Sequence, residues 1–402
     1  MQNKTQVFPL PGSIFVHNRL THSIEVASVG MSLGDDVARQ LLAQDPRLAD
    51  TMVPGIGQVV ASACLAHDMG NPPFGHSGEK AIQAFFAEGE GQALQKRVTP
   101  ELWQDLTHFE GNANAFRLLT HRFQGRREGG YAMTYAMLAS IVKYPFASSL
   151  AGSHGKFGFF HSEQHYFERI AEAMGMKRLS RDGEPLRYAR HPLVYLVEAA
   201  DDICYEVMDL EDAHKLQLLS YEEARRLMLD FFDDEQRQHI EQRIREEQLE
   251  DENEVVVYLR SNLIGLLERE CANTFMAHQE EILGGTFQGS LIDHVSERPA
   301  KAYRACADFS KRHIYNSKPV LDVELSGYRI IHTLLSLYTE AILQPERFYS
   351  RQLLGRVASQ YEVRSADFGQ RLHAVVDFLS GMTDLYALDL YQKISGMALP
   401  VV

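Results

Sequence analysis

The sequence predicts an all-α protein, on three observations. Apolar residues recur at helical spacing through long stretches, the breaks between those stretches fall at Gly and Pro signals, and a strand-like pattern is confined to one short candidate at 255–259. No internal repeat and no low-complexity tract interrupts this pattern.

The elements follow in order. Over 21–43, Ile24, Val26, Val29, Leu33, Val37 and Leu41 form one apolar stripe, and Asp45-Pro46 closes the helix. A second helix is expected over 57–69, stopped by Gly70 and kept from continuing by Pro72-Pro73. An ordered turn over 71–78 then leads into a helix over 79–88. The polar stretch 89–107 reads as loop-rich, with helices again over 111–121 and 131–142, the latter ended by Lys143-Tyr144-Pro145. The segment 146–165, with Gly152, Gly155 and Gly158, reads as a long loop and a candidate lid, since loops of that length are usually functional or mobile. A strong amphipathic helix occupies 192–215, and a further helical array fills 216–402. Within that array DDEQRQHIEQRIREEQLEDENE is charged at nearly every turn and reads as a solvated face, with a partner surface as the alternative.

Length and composition bound the answer. At 402 residues the chain suits one main unit with a dependent extension, and 45% hydrophobic with 23% charged residues is ordinary for a globular core. A net charge of −14 argues against an extended nucleic-acid surface, which needs clustered Lys and Arg. Cys64, Cys204, Cys271 and Cys306 form no CxxC pair, so free thiols in a reducing cytoplasm are expected rather than a disulfide framework. MQNKTQVFPLPG lacks a signal-peptide pattern, and no apolar run approaches the roughly 18 residues of a membrane span.

Seventeen histidines make their placement informative. His67 and Asp68 are adjacent at the end of an apolar helix in CLAHDMGNPPFGH, where side chains point about 100° apart and can both reach one ion. His22, in NRLTHSIEV, precedes them, and Asp201, in EAADDICYEVMDLED, follows on a later helix. Two imidazoles and two carboxylates suit Mn, Fe, Co, Ni, Zn or Mg and leave positions for water and phosphate oxygens. Asp201, Tyr205 and Asp209 fall at i, i+4 and i+8, a stripe beside the apolar face of Leu193, Leu196, Val197, Ala200, Cys204 and Val207. On that segment alone a solvated acidic face fits as well as the wall of a metal and sugar site.

The ordered set KTQVF, NRLTHS, AHDMGNPPFGHSGE, FEGNANAFR, KYP and EAADDICYEVMDLED resembles the deoxyguanosinetriphosphate triphosphohydrolase-like branch of the HD superfamily, the dNTP triphosphohydrolases. The likeness runs from residue 4 to about 212 and is thin beyond 216. It implies an HD-domain helical core over 1–215 and a C-terminal helical extension over 216–402 that completes the pocket and the oligomer interface. It implies that His22, His67, Asp68 and Asp201 are the H…HD…D ligands of one divalent metal ion per chain, Mn or Mg foremost, with Co, Ni, Fe or Zn also compatible. His76, Glu79 and His108 match the family's catalytic residues. Arg19 and Lys143 match residues that meet the triphosphate, and Gln6, Tyr205 and Asp209 match residues that recognise the deoxyribose. Asn71 stands where many two-metal HD enzymes carry a further His, so a mononuclear site is expected.

The activity implied is hydrolysis of dGTP or another dNTP at the α-phosphorus to deoxynucleoside and triphosphate. A cytoplasmic homo-oligomer, often a hexamer in relatives, and a second nucleotide or single-stranded DNA as effector belong to the same expectation. The alternatives are another HD phosphohydrolase, such as a 5′-nucleotidase or cyclic-nucleotide phosphodiesterase, and a catalytically silent nucleotide- or nucleic-acid-binding regulator. The NPPFGHSGE, KYP and DDICY blocks speak against the first, and the intact ligand set with His76 speaks against the second.

Overall fold

A computed structural model describes residues 1–8, 16–152 and 155–398. Among these the fold is all-α, as expected, and β structure is limited to isolated bridges such as Phe146 with Arg187. The helices of the first half are α1 (Arg19–Gln44), α2 (Ile56–Ala66), α3 (His76–Ala87), α4 (Pro100–Thr107), α5 (Gly111–Thr120), α6 (Tyr135–Ile141), α7 (Gln164–Ala173) and α8 (Val194–Lys215). There follow α9 (Tyr221–Leu229), α10 (Asp234–Glu246), α11 (Glu252–Ala277), α12 (Gln279–Leu283) and α13 (Glu297–Phe309). The last are α14 (Lys318–Leu343), α15 (Phe348–Gly355), α16 (Phe368–Ser380) and α17 (Asp384–Ile394).

The chain forms two compact units, each discontinuous in sequence. One comprises 1–6, 66–190 and 322–402, the other 7–65 and 191–321. The core of the first gathers Phe85 and Phe86 of α3, Phe109, Phe157 and Phe160 with Leu334, Leu335 and Tyr338 of α14 and Leu372, Val375 and Leu379 of α16. An ion network is buried there: the Arg117 guanidinium donates to Glu163 at 2.5 Å and to Asp377 at 2.8 Å. Burial pushes the Glu163 carboxyl up, but the charge of Arg117, the hydrogen bond and charge of His121 and the charge of His373 together outweigh it and bring the group down to about 2. A cavity of about 540 Å³ lies against this network, and none of the sequence-predicted site residues lines it.

In the second unit α1, α8 and α11 pack against one another. The apolar face expected of α8 is buried at Leu196, Val197, Ala200, Cys204 and Val207. Burial goes further and takes in Glu206, Asp209, Glu211 and Asp212, each of which has a partner. Glu206 accepts from Ser310, Asp209 from Tyr315, Glu211 from Arg260, and Asp212 from the backbone and ring of His17. Such pairing is what allows carboxylates inside a core. All four cysteines are buried and outside any disulfide, and no described helix is long and apolar enough to cross a membrane.

Several elements depart from the expected boundaries. The candidate strand at 255–259 is the start of α11: Asp251 caps it, and Val255, Val256, Leu259, Leu263, Leu266 and Leu267 are buried at helical spacing, which overrides the β-preference of the valines. The stretch 89–107 contains α4, started by Thr99 as N-cap and Pro100 at the first position. Helix α6 begins at Tyr135 rather than 131, after a turn in which Gly129, Gly130 and Ala132 hold positive φ. The loop 146–165 is not a free lid at its second half, because Phe157, Phe159 and Phe160 are core residues with at most 1% exposure. Helix α10, from the charged stretch, buries only Ile240 and is solvated as expected.

Candidate active site

Asn18 starts α1 with a capping box, its side chain accepting from Leu20 and Thr21 N–H while Thr21 Oγ1 accepts from Asn18 N–H. This places Arg19 as the first helical residue and His22 one turn in, both buried. His22 faces α8, where its Nε2 lies 3.0 Å from Asp201 Oδ1. At that distance a ring N–H can donate to the carboxylate, and the same two atoms are donor types that a divalent cation accepts.

His67 and Asp68 were expected in the last turn of a helix, but α2 ends at Ala66 and both residues lie in a turn. The cause is Gly70, which packs so closely on α5 that a Cβ there would stand 2.0 Å from Gly111 O. Met69 N–H bonds back to Ala66 O at 3.1 Å and Asn114 donates to Gly70 O at 2.7 Å, tightening the chain out of the α-helix. Within the turn His67 Nε2 is 3.7 Å from Asp68 Oδ1, and the Asn71 amide donates a short hydrogen bond to that same oxygen. Asn71, noted as a departure from two-metal enzymes, therefore orients a carboxylate, a support typical of metal ligands. Lys4 holds the turn in place by donating to Asn71 O at 2.6 Å and Ser380 O at 2.9 Å. The two pairs, His22 with Asp201 and His67 with Asp68, offer nitrogen and oxygen donors that fit a divalent ion of the kinds expected.

His76 and Glu79 share the first turn of α3, which starts three residues earlier than the sequence indicates. Phe74 and Gly75 both hold positive φ, 62° and 56°, and this tight turn delivers the chain into the helix at His76. Glu79 Oε2 is 3.1 Å from His76 Nδ1, and Glu79 Oε1 accepts Gly111 N–H at 2.7 Å. Burial pushes the Glu79 carboxyl up, but the hydrogen bond and charge of His76, the charge of Lys156 and the Gly111 amide outweigh it and set it below its ordinary range. The His76 ring is exposed while Glu79 is buried, so a charged carboxylate holds an imidazole that a ligand can reach. Such a pair can move a proton.

The remaining residues are placed as follows. His108 caps the C-terminus of α4, where its Nδ1 is 3.0 Å from Gln104 O; among the described residues it makes no hydrogen bond to His76 or Glu79. Lys143 is half-buried after α6, with its ammonium 5.8 Å from the Tyr144 ring. Gln6 has a buried amide oxygen with no hydrogen-bond donor among the described residues.

Tyr205 and Asp209 lie on α8 as expected, and Asp209 is buried beside the half-buried Tyr315, whose hydroxyl donates to its Oδ2 at 2.7 Å. The rings of Tyr205 and Tyr315 are 5.9 Å apart. Burial raises Asp209 well above the carboxylate range despite that bond, and burial lifts Glu206 to about 7 against its bond from Ser310. Sequence reading missed Tyr315, Ser310 and Glu206. Ser310 and Tyr315 are brought to α8 by a π-turn, Ser310–Ile314, closed by Tyr315 N–H on Ser310 O at 3.0 Å. The motif SKRHIY carries no spacing that announces such a turn; the signal available was the unpartnered acid stripe of α8.

Comparison with known proteins shows the family of the chain. The HD domain family, a fold of metal-dependent phosphohydrolases, matches residues 19–138, and a phosphohydrolase-associated domain matches residues 294–393. A deoxyguanosinetriphosphate triphosphohydrolase-like protein of Pseudomonas aeruginosa (strain LESB58) is 36% identical over 410 residues, covering 99% of this chain and 90% of the relative. A protein of the same description from Synechocystis sp. is 32% identical over 412 residues, with the same coverage. A deoxyguanosinetriphosphate triphosphohydrolase of Yersinia pseudotuberculosis is 29% identical over 474 residues, covering 98% of this chain and 90% of the relative. The kinship thus extends through the C-terminal half, where the motifs alone show only a thin likeness. With this extent of identity over nearly its whole length, the chain belongs to the deoxyguanosinetriphosphate triphosphohydrolase-like family of HD-superfamily hydrolases.

Proposed function

We propose that the protein is a metal-dependent dNTP triphosphohydrolase that cleaves dGTP or another dNTP at the α-phosphorus, releasing deoxynucleoside and intact triphosphate. The observation that carries this reading is the ordered set His22, His67-Asp68 and Asp201, in which His22 and Asp201, 179 residues apart in sequence, meet at 3.0 Å. In this reading these four residues hold one divalent ion, Mn or Mg foremost. When bound, the ion supplies Lewis-acid polarisation of phosphoryl oxygens and lowers the pKa of water. Residues 1–215 then carry the catalytic groups and 216–402 complete the pocket, a division supported by the contact of Tyr315 with Asp209.

The chain's own groups divide the remaining work. Arg19 and Lys143 offset the charge of the triphosphate, the guanidinium by its planar fork of donors. His76, held by Glu79, transfers a proton to the leaving 5′-oxygen or from the attacking water, with His108 as a further proton-handling group. The buried Gln6 oxygen is an acceptor for a donor of the deoxyribose, and Asp209 with Tyr205 receives the 3′-hydroxyl.

A close grip on the 3′-hydroxyl leaves no room for a 2′-hydroxyl, so dGTP outcompetes GTP by a wide margin. Tyr205→Ala narrows that margin by about 1–3 kcal/mol, the scale of leaving buried polar partners unmet. The experiment is a panel of dNTPs, NTPs, dGMP and cyclic nucleotides, each with Mn²⁺, Mg²⁺, Co²⁺ or Ni²⁺, read by chromatography. Equal rates on dGTP and GTP defeat the sugar assignment, and preference for a monophosphate or cyclic nucleotide defeats the triphosphohydrolase reading.

A further inference from the structure

Burying two carboxylates close together demands a counter-charge, and the surroundings of Glu79 contain such a pair. Glu110 is 1% exposed and caps α5, its Oε2 accepting Asn112 N–H at 2.6 Å and Ala113 N–H at 3.2 Å. The next residue, Gly111, gives its N–H to Glu79, itself 4% exposed, so the two acids are linked through a single residue step. Lys156 donates from Nζ to Glu110 Oε1 at 2.7 Å. An unbroken series of contacts therefore runs from Lys156 through Glu110, Gly111 and Glu79 to His76. Lys156 is held in this place by its neighbour Phe157, which is fully buried in the core.

The charged groups facing Glu79 are His76 on its own helix, Glu110 at the start of α5 and Lys156 from the loop; Tyr144 acts on Lys156. Burial and the charge of Glu79 push the Glu110 carboxyl up, against the pull of Lys156. Burial would bring the Lys156 ammonium down, and the charges of Glu110 and Glu79 more than offset it, holding it above its ordinary range.

Resting on the assignment of His76 and Glu79 to proton transfer, we propose that Lys156 is a positioning residue for that pair. Its ammonium, seated on Glu110, offsets two buried carboxylates so that Glu79 accepts from His76 and from Gly111 at once. Without that charge the two acids hold one proton between them. Whenever the proton sits on the Glu79 oxygen that faces His76, the imidazole loses its acceptor and its orientation. Removing Glu110 instead leaves the ammonium to take Glu79 in place of His76. Each single change is therefore harmful, and the two together restore the balance. A lysine whose work is to bind substrate behaves differently, since its loss raises KM and a second change at Glu110 restores nothing.

The sign of the pH effect follows. The proton-bound pair is the inactive form, so raising its affinity for the proton moves the acidic limb of kcat to higher pH. The test compares Lys156→Met, Lys156→Arg and the double variant Glu110→Gln/Lys156→Met with the parent protein. Lys156→Met is expected to lower kcat at neutral pH by roughly 10-fold or more with little change in KM, and to move the acidic limb up by about one unit. Lys156→Arg keeps the parent's profile, and the double variant recovers most of kcat. Infrared difference spectra, which need no turnover, show a new protonated-carboxyl band at neutral pH in Lys156→Met that is absent from the double variant. If the parent turns over substrate but Lys156→Met shows neither the band nor the shifted limb, the inference fails alone. A rise in KM with an unchanged pH profile likewise overturns it in favour of a substrate contact. A parent protein inert toward every phosphate ester overturns the functional reading, and the role of Lys156 with it.

Discussion

His67→Ala and Asp201→Ala are expected to lose most of the bound divalent metal and, with it, nearly all turnover. The expected content of the parent protein is about one ion per chain, and deleting a ligand removes a coordination bond. The two substitutions test different pairs. Asp201 lies against His22 at 3.0 Å, whereas His67 stands beside Asp68, whose carboxylate is oriented by Asn71. If all these residues serve one ion, either substitution empties the site to the same degree. Elemental analysis after metal loading measures this directly. Unchanged metal content in both variants removes the assignment, and loss in only one shows that the pairs do not share an ion.

The second large effect separates proton handling from metal binding. His76→Ala and Glu79→Gln are expected to keep the metal while lowering kcat by roughly 100-fold or more, the usual scale of general acid–base contributions. Glu79 Oε1 accepts Gly111 N–H at 2.7 Å and its Oε2 meets His76 at 3.1 Å. A glutamine there can satisfy the Gly111 amide through its oxygen but lacks the charge that holds the imidazole. The measurement is steady-state kinetics alongside metal content. Near-normal turnover in either variant takes that residue out of the mechanism.

Much of this layout is legible in the residues themselves. Helix α1 could be read because its apolar stripe is long and Asp45-Pro46 marks its end, while the Asn18 cap that starts it two residues before the expected 21 became visible only in the structure. The apolar face of α8 could be read as well, although its acid and phenol stripe by itself fits a solvated face as well as the wall of a site. What escaped was set by tertiary contact rather than by local pattern. The helix containing His76 begins early because Phe74 and Gly75 adopt positive φ, a choice that Gly75 permits but does not announce. Helix α2 ends before His67 because Gly70 must approach α5, a contact 41 residues away in sequence. The partner of Asp209 was invisible because Tyr315 reaches it only through a π-turn. His108 illustrates the opposite limit: resemblance names it, yet among the described residues its hydrogen bonds go to its own helix, at Gln104 and Thr107.

The most direct test of the central claim asks which bond breaks, since a metal held by His22, His67, Asp68 and Asp201 is compatible with attack at any phosphorus. Hydrolysis of dGTP in ¹⁸O-labelled water, with products analysed by mass spectrometry, is predicted to place the label in intact triphosphate and none in the released deoxynucleoside. That pattern follows from water attacking the α-phosphorus while His76 serves the departing 5′-oxygen. Pyrophosphate with dNMP, orthophosphate with dNDP, or label in the nucleoside 5′-hydroxyl would contradict it.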